Sequence, residues 1–332
     1  MSASHPLPSG VRLPPGVRLL DLHPPRSDFR ADVLEGLRRA EKSISPMYFY
    51  DAAGSALFDA ITGLPEYYPT RAELAIMDAH LDEMAELAGP GVSVIEFGAG
   101  SGLKTRRLLA GLEDPIAYVP VEISRDFLLE SAESIADAFP ALEVLPVCAD
   151  FTRPFQLPQP HRMPLRNLVY FPGSTIGNFT RGEACDLLQV MHTEAAAGGA
   201  LLIGVDLRKD RPTLERAYND GAGVTAEFNL NLLARMNREL GADFDPSRFR
   251  HEATWNEAAG RIEMRLVSRA NQCVSVAGET IQFEAGEAIL TEYSHKYELD
   301  DFAGLAAGAG FAVARVWTDP DRLFSVQFLT RD

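Results

Sequence analysis

Short apolar runs alternate with amphipathic stretches through the middle of the chain. "VSVIEF" opens the series at residue 92 and helical periodicity follows over 104–112. "IAYVPVE" and a helix over 124–139 come next, then the runs "LEVLPVCADF" and "RNLVYFPGS", the helix "RGEACDLLQVMHTEAA" and the run "GALLIGVD". Apolar runs of strand length separated by helices predict crossover units and a parallel sheet covered on both faces. Upstream, residues 27–45 read as a helix capped by Ser27 or Asp28, with Val33, Leu34 and Leu37 on one face. A helix over 55–62 is stopped by Gly63 and Pro65. Another over 71–87 places Leu74, Met77, Leu81 and Leu87 at helical spacing.

After residue 206 the alternation breaks. A helical stretch surrounds "AEFNLNLLARMNREL", and "HEATWNEAAGRIEMRLVSRA" reads as a hairpin. Beyond Tyr297, "LDDFAGLAAGAG" is a helix closed by glycine; "FAVARVWTD" and "RLFSVQFL" form a terminal hairpin around "PD". The sheet thus resumes at the C-terminus, and the stretch before it is an insertion. The chain divides into a proline-rich arm without helical or strand period (1–26), one unit of 27–70 plus 207–297, and a second of 71–206 plus 298–332.

Composition narrows the function. The 332 residues are 46% hydrophobic and 23% charged, enough apolar content for a real core. The net charge of −16 opposes phosphate backbones, and no local basic stripe offsets it, so a nucleic-acid partner is not expected. No apolar run approaches the roughly 20 residues that span a bilayer, and no secretory signal is legible, so a cytoplasmic monomer without a membrane partner is expected. Cys148, Cys185 and Cys273 are too scattered for a disulfide framework or a zinc site, so no metal is expected.

The strongest local signal is "VIEFGAGSGLKT", in which a strand runs directly into Gly98, Gly100 and Gly102 before a helix. Glycine lets backbone approach a ligand closely, and open sheets bind ligands at this end. The spacing is G-x-G-x-G; the third glycine of a dinucleotide fingerprint falls on Leu103 instead, which argues against a nicotinamide cofactor. Glu122 ends the next strand, placed to accept bonds from ribose hydroxyls, and Asp150-Phe151 ends the third, where an acid and a ring suit an adenine. The trio, with the terminal hairpin, resembles the class I methyltransferases that use S-adenosylmethionine: an α/β, Rossmann-like doubly wound sheet.

Four further segments narrow the family. "FYDAAGSALFDAITGLPEYYPTRAE", "FPGSTIGNF", "RAYNDGAGVTAEFN" and "TEYSHKY" resemble the histidine-specific Nα-methyltransferases, which make hercynine (trimethylated histidine) on the route to ergothioneine. The resemblance runs from about residue 27 to the C-terminus. It implies a substrate-binding α+β lobe (27–70 plus 207–297) inserted into an S-adenosylmethionine-binding domain (71–206 plus 298–332). It implies that Asn178 and Tyr218 hold the substrate carboxylate, that Glu292 and Ser294 hydrogen-bond the two imidazole nitrogens, and that Met264 packs the ring. Tyr50 and Phe58 match aromatic positions beside the amine, and Tyr67 and Lys104 match positions near the cofactor, alongside Gly98, Gly100, Glu122, Asp150 and Phe151. The residues make this chemistry reasonable. An amide donates to a carboxylate without adding charge, and two side chains alternating on a strand share a face. A buried pair built for both ring nitrogens rejects substrates that lack them. Tyr50, or water beside it, is the candidate acceptor of the amine proton.

Two departures from the family pattern stand out: Glu122 where Asp is common, and Pro172 where Leu is common. Asn178 could instead cap the following helix, although Thr180 serves equally; Tyr218 could be a core tyrosine, and Arg71 a purely structural one. The competing functions are methylation of another aromatic amine such as tryptophan, a non-catalytic cofactor-binding protein, and a nicotinamide oxidoreductase.

Overall fold

The computed structural model describes residues 17–23, 28–100 and 102–331. In chain order the structure begins with β1 (Leu20–Asp21), α1 (Phe29–Arg38), α2 (Ala52–Thr62) and α3 (Tyr68–Ala88). There follow β2 (Val92–Phe97), α4 (Leu103–Gly111), β3 (Ala117–Glu122), α5 (Arg125–Ala138), β4 (Glu143–Val144), β5 (Val147–Cys148), β6 (Arg166–Phe171), α6 (Arg181–Ala195) and β7 (Ala200–Asp206). The insertion comprises α7 (Arg211–Tyr218), α8 (Val224–Leu240), β8 (Phe249–Asn256), β9 (Arg261–Ser268), β10 (Gln272–Val276), β11 (Glu279–Phe283) and β12 (Ala288–His295). The chain closes with α9 (Leu299–Gly308), β13 (Phe311–Thr318) and β14 (Phe324–Arg331).

The central sheet has the order β1-β5-β3-β2-β6-β7-β14-β13, with β4 also paired to β3. Its strands run parallel through β7, whereas β14 pairs antiparallel with both β7 and β13. This is the class I methyltransferase fold. Both faces of the sheet are covered, as the near-continuous apolar strands require. On β2, Ile95 and Phe97 point into a core with α6 and α9, while Val92 and Val94 point into one with α3, α4 and α5. A third core lies outside the sheet: α1, α2, α7 and α8 pack on β8–β12 around Phe49, Phe228, Phe249 and Met264.

The structure departs from the sequence expectation at four places. Most of the arm, and Ser27 of the expected cap after it, lie outside the described residues, but Leu20–Asp21 form an edge strand parallel to β5. A two-residue strand leaves no visible period. The first helix ends at Arg38 rather than near residue 45, because the chain leaves it to meet β12. Ser43 donates its N–H to Gly36 O, Leu290 donates to Lys42 O, and Ile44 donates to Leu290 O. The third strand is split into β4 and β5 around Pro146, which has no N–H to donate. Helix α7 was not foreseen; Asp210 caps it by accepting from Thr213 N, and Pro212 stands in its first turn, which is its sequence signal.

Caps and tethers fix the segments nearest the site. The Asp51 carboxylate accepts from Gly54 N at the start of α2 and also from Asn231 and Arg238 of α8, so the chain around residue 50 is held between two helices. Arg71 donates to the carbonyls of Leu64, Pro65 and Tyr67, which clamps the loop before α3. These contacts give Arg71 a structural use.

Candidate active site

The carboxyl ends of β2, β3, β5, β6 and β7 face the inserted lobe, and the side chains singled out in the sequence come from both sides of that gap. On the sheet side, Gly98 takes φ 71° and donates its N–H to Val121 O. A Cβ there would lie 3.6 Å from the Phe151 ring, whereas a Cβ at Gly100 would meet no atom within 4 Å. The chain therefore turns tightly at Gly98 and leaves open space beside Gly100. Phe151 lies against Phe97 and Phe171, with ring centroids 5.7 and 6.2 Å away. Glu122 accepts from the N–H groups of Ile123 and Ser124 through one oxygen, at 2.8 and 3.0 Å. Burial raises its carboxyl above the usual range. Asp150 accepts from Thr152 N and Oγ1. Lys104, in the first turn of α4, is paired with buried Glu73, whose carboxylate also accepts from Gly173 N at 3.0 Å.

On the lobe side, aromatic rings converge. Tyr50 lies 5.7 Å from Phe58 and 6.0 Å from Phe228, Phe58 lies 6.4 Å from Tyr67, and Tyr67 lies 6.1 Å from Tyr218. Burial, then the charge of Glu292, hold the Tyr50 hydroxyl well above its ordinary value. Glu122 on the sheet side adds to the same effect. Yet 45% of Tyr50 is reachable by solvent. It is an exposed ring that stands between carboxylates of the two sides.

Asn178 ends a short 3₁₀ turn (Thr175–Asn178) entered through Ser174, a non-glycine residue at φ 57°. Strain of this kind persists only where the surroundings fix it. Here the Ser174 hydroxyl accepts from Asp206 N, and Gly177 presses so closely on β12 that a Cβ would lie 2.7 Å from His295 O. Helix α6 is capped by Thr180 with Glu183 in a reciprocal capping box, so the cap role considered for Asn178 is filled by another residue. Asn178 and Glu292 line one open cleft together with Ile44, Met47, Thr180 and Glu183. Glu292 stands opposite Met264 in the β9–β12 ladder, just past an irregularity after Leu290. Its carboxyl is pushed up to about 7 by burial, against the opposing charge of Lys296. Ser294 Oγ lies 2.8 Å from Tyr218 Oη.

The family profile of the histidine-specific, S-adenosylmethionine-dependent methyltransferases matches residues 29–331. The chain belongs to this family. It is 42% identical over 308 residues to the histidine N-alpha-methyltransferase of Mycolicibacterium smegmatis, covering 91% of this chain and 94% of that protein. It is 43% identical over 296 residues to the enzyme of the same name from Mycobacterium tuberculosis, covering 87% and 91%. A 4-dimethylallyltryptophan N-methyltransferase of Aspergillus fumigatus is 27% identical over 306 residues, covering 87% and 89%.

The sheet side of this methyltransferase suits its cofactor. Gly100 borders open space, and the described residues give the second oxygen of Glu122 no hydrogen-bond partner. No group of His, Cys, Asp and Glu among the described residues is arranged to hold a metal ion. No described helix is long and apolar enough to cross a membrane.

Sequence reasoning missed several groups. Phe228 completes the ring cluster. Asp206 ends β7 as Glu122 ends β3, and the same strand-end rule would have found it. It is fully buried, accepting from Tyr68 at 2.8 and 2.9 Å and pairing with Lys209 and Lys296. Lys296 follows Glu292 and Ser294 at the strand period of two. Glu73 holds Lys104.

The raised carboxyl of Glu292 has a stability consequence. Its ordinary value is 4.5, so between pH 4.5 and about 7 the folded chain keeps a proton that the unfolded chain releases. That contribution favours the fold below pH 4.5 and is lost as the pH rises through 7. Glu292→Gln carries no such proton, so its thermal midpoint relative to the parent is expected to rise between pH 5 and pH 8. Midpoints measured without ligand at both pH values check this; a constant difference would contradict it.

Proposed function

We propose that this enzyme methylates the α-amine of L-histidine with S-adenosylmethionine, in three successive transfers that give hercynine for ergothioneine biosynthesis. The observation that carries the proposal is the half-buried Glu292, which shares a cleft with Asn178 and a strand with Ser294, whose hydroxyl meets Tyr218 beside the rings of Tyr67, Phe58 and Tyr50. In this arrangement 27–70 with 207–297 bind the substrate, and 71–206 with 298–332 bind the cofactor.

Glu292 accepts from one imidazole nitrogen and Ser294 donates to the other, while Met264 packs beneath the ring. Asn178 and Tyr218 donate to the carboxylate. Phe58 walls the amine in, and Tyr67 stands near the cofactor. Tyr50, whose hydroxyl stays protonated, orients an amine N–H while the proton leaves to water through the cleft. Gly98 and Gly100 let the backbone approach the cofactor, Glu122 holds the ribose, Asp150 and Phe151 hold the adenine, and Lys104 stabilises the neighbouring loop. S-adenosylmethionine, when bound, supplies an electrophilic methyl group on a sulfonium. The chain's own contribution is alignment and exclusion of water. The rings of Tyr50, Phe58, Tyr67 and Phe228 accommodate the growing ammonium charge by cation–π contact.

Mass spectrometry of a reaction containing the protein, S-adenosylmethionine and an equal mixture of the twenty amino acids tests this. Stepwise gain of up to three methyl masses on histidine alone is the expected outcome. Methylation of tryptophan instead would show that the imidazole assignment is wrong, because an indole has no ring acceptor for Ser294.

A further inference from the structure

Lys296 has its side chain buried at the meeting of the two lobes, and its ammonium has three oxygen partners. The Nζ atom lies 2.7 Å from Asp206 Oδ2, 2.8 Å from Tyr218 Oη and 2.8 Å from Ser294 Oγ. We propose that Lys296 is a positioning residue: anchored by Asp206, it holds the Tyr218 and Ser294 oxygens as acceptors and so turns both hydroxyls into donors toward the substrate. The proposal rests on the histidine assignment above.

An ammonium carries three donors and no acceptor, and these three contacts use all of them. Each hydroxyl has one hydrogen, and neither can point at the ammonium. In the free enzyme Tyr218 and Ser294 lie 2.8 Å apart, so one donates to the other and one hydrogen remains. A substrate that offers an acceptor to each hydroxyl draws both hydrogens outward. A carboxylate is such an acceptor, and so is the lone pair of a neutral imidazole; an imidazolium is not. With Glu292 taking the ring N–H, the arrangement selects the neutral ring in one orientation.

Asp206 makes the anchor firm. It is fully buried at the end of β7, and its N–H is held by Ser174 at the entrance to the turn that carries Asn178. Both grips assigned to the substrate carboxylate are therefore referred to one buried residue: Tyr218 to the Asp206 carboxylate through Lys296, and the Asn178 turn to the Asp206 backbone N–H through Ser174. A salt bridge serving stability alone would need neither hydroxyl, and a buried ion pair is in any case weak evidence of stabilisation.

Lys296→Met tests the inference. Asp206 keeps Lys209 at 2.5 Å and the Tyr68 hydroxyl, so removing one ammonium does not leave it unpaired. The KM for histidine is expected to rise about 30-fold, the loss of hydrogen bonds to a charged group, with kcat less affected and S-adenosylmethionine affinity unchanged. Combined with Tyr218→Phe, the double variant is expected to lose clearly less than the product of the two single losses, because part of the ammonium's effect runs through that hydroxyl and only the Ser294 part remains to be lost. A KM within twofold of the parent, losses that multiply, or loss of cofactor binding would overturn the proposal. If the Met variant does not fold, Lys296→Gln is held to the same criteria. A parent enzyme that methylates no histidine overturns the substrate assignment and this inference with it; a parent that does, beside an unaffected Lys296 variant, overturns this inference alone.

Discussion

Glu292→Ala is expected to lower kcat/KM for histidine by about two to four orders of magnitude while S-adenosylmethionine binds as before. The size follows from two losses that fall together. A hydrogen bond to a charged acceptor contributes about 1.5–3 kcal/mol, and the imidazole N–H left in an enclosed site without a partner costs about 1–3 kcal/mol more. Glu292 is half-buried in the cleft it lines with Asn178, and burial raises its carboxyl to about 7 against the charge of Lys296. Glutamine separates charge from geometry: it keeps an acceptor oxygen, and neutral hydrogen bonds are about half as strong as charged ones, so Glu292→Gln is expected to lose only about tenfold. The pH profile adds a third check. Because the free enzyme's Glu292 is protonated below about 7, kcat/KM for histidine is expected to fall as the pH drops through that value, and Glu292→Gln is expected to lose that limb. An alanine variant within threefold of the parent would remove Glu292 from the substrate site.

The fold was legible in this chain wherever burial is two-sided. Strands such as β2 and β7, buried at every position, read as continuous apolar runs that end in glycine or acid, and the helices between them carry clear periodicity. Where tertiary contacts decide, the pattern is silent. The exit of the chain from α1 depends on the pairing of residues 42–44 with Leu290, more than 240 positions away, and the chain that follows carries Tyr50 to Phe58 and Phe228. Helix α7 is eight residues long and buries only Leu214, Ala217 and Tyr218, too few for a period to show. Lys296 is the clearest case of a residue hidden by its own type. Lysine is almost never fully buried, so an exposed strand end is the natural expectation; only the folding of β7 against the end of β12 brings Asp206 to meet it. The residues that face a ligand had recognisable chemistry, whereas those that hold them in place are intelligible only as neighbours.

Gly100→Val is expected to abolish measurable binding of S-adenosylmethionine, a loss of more than about 100-fold, while moving the thermal midpoint by no more than about 1 °C. The two glycines of the loop make opposite cases. Gly98 takes φ 71°, so any side chain there strains the backbone and its loss would report on folding as much as on binding. Gly100 has no positive φ, and a Cβ built on it meets nothing within 4 Å. Among the described atoms the free protein therefore has room for a Cβ at this position. The bound state does not, if the space beside Gly100 is where the cofactor approaches the backbone. The side chain would occupy that volume directly, and the rigid turn at Gly98, tied to Val121 by its N–H, leaves the loop little freedom to retreat. Calorimetric titration with S-adenosylhomocysteine, alongside thermal unfolding without ligand, reads the two quantities separately. Undiminished binding would move the cofactor away from the glycine loop. A midpoint several degrees lower would show that the space beside Gly100 is needed by the fold itself.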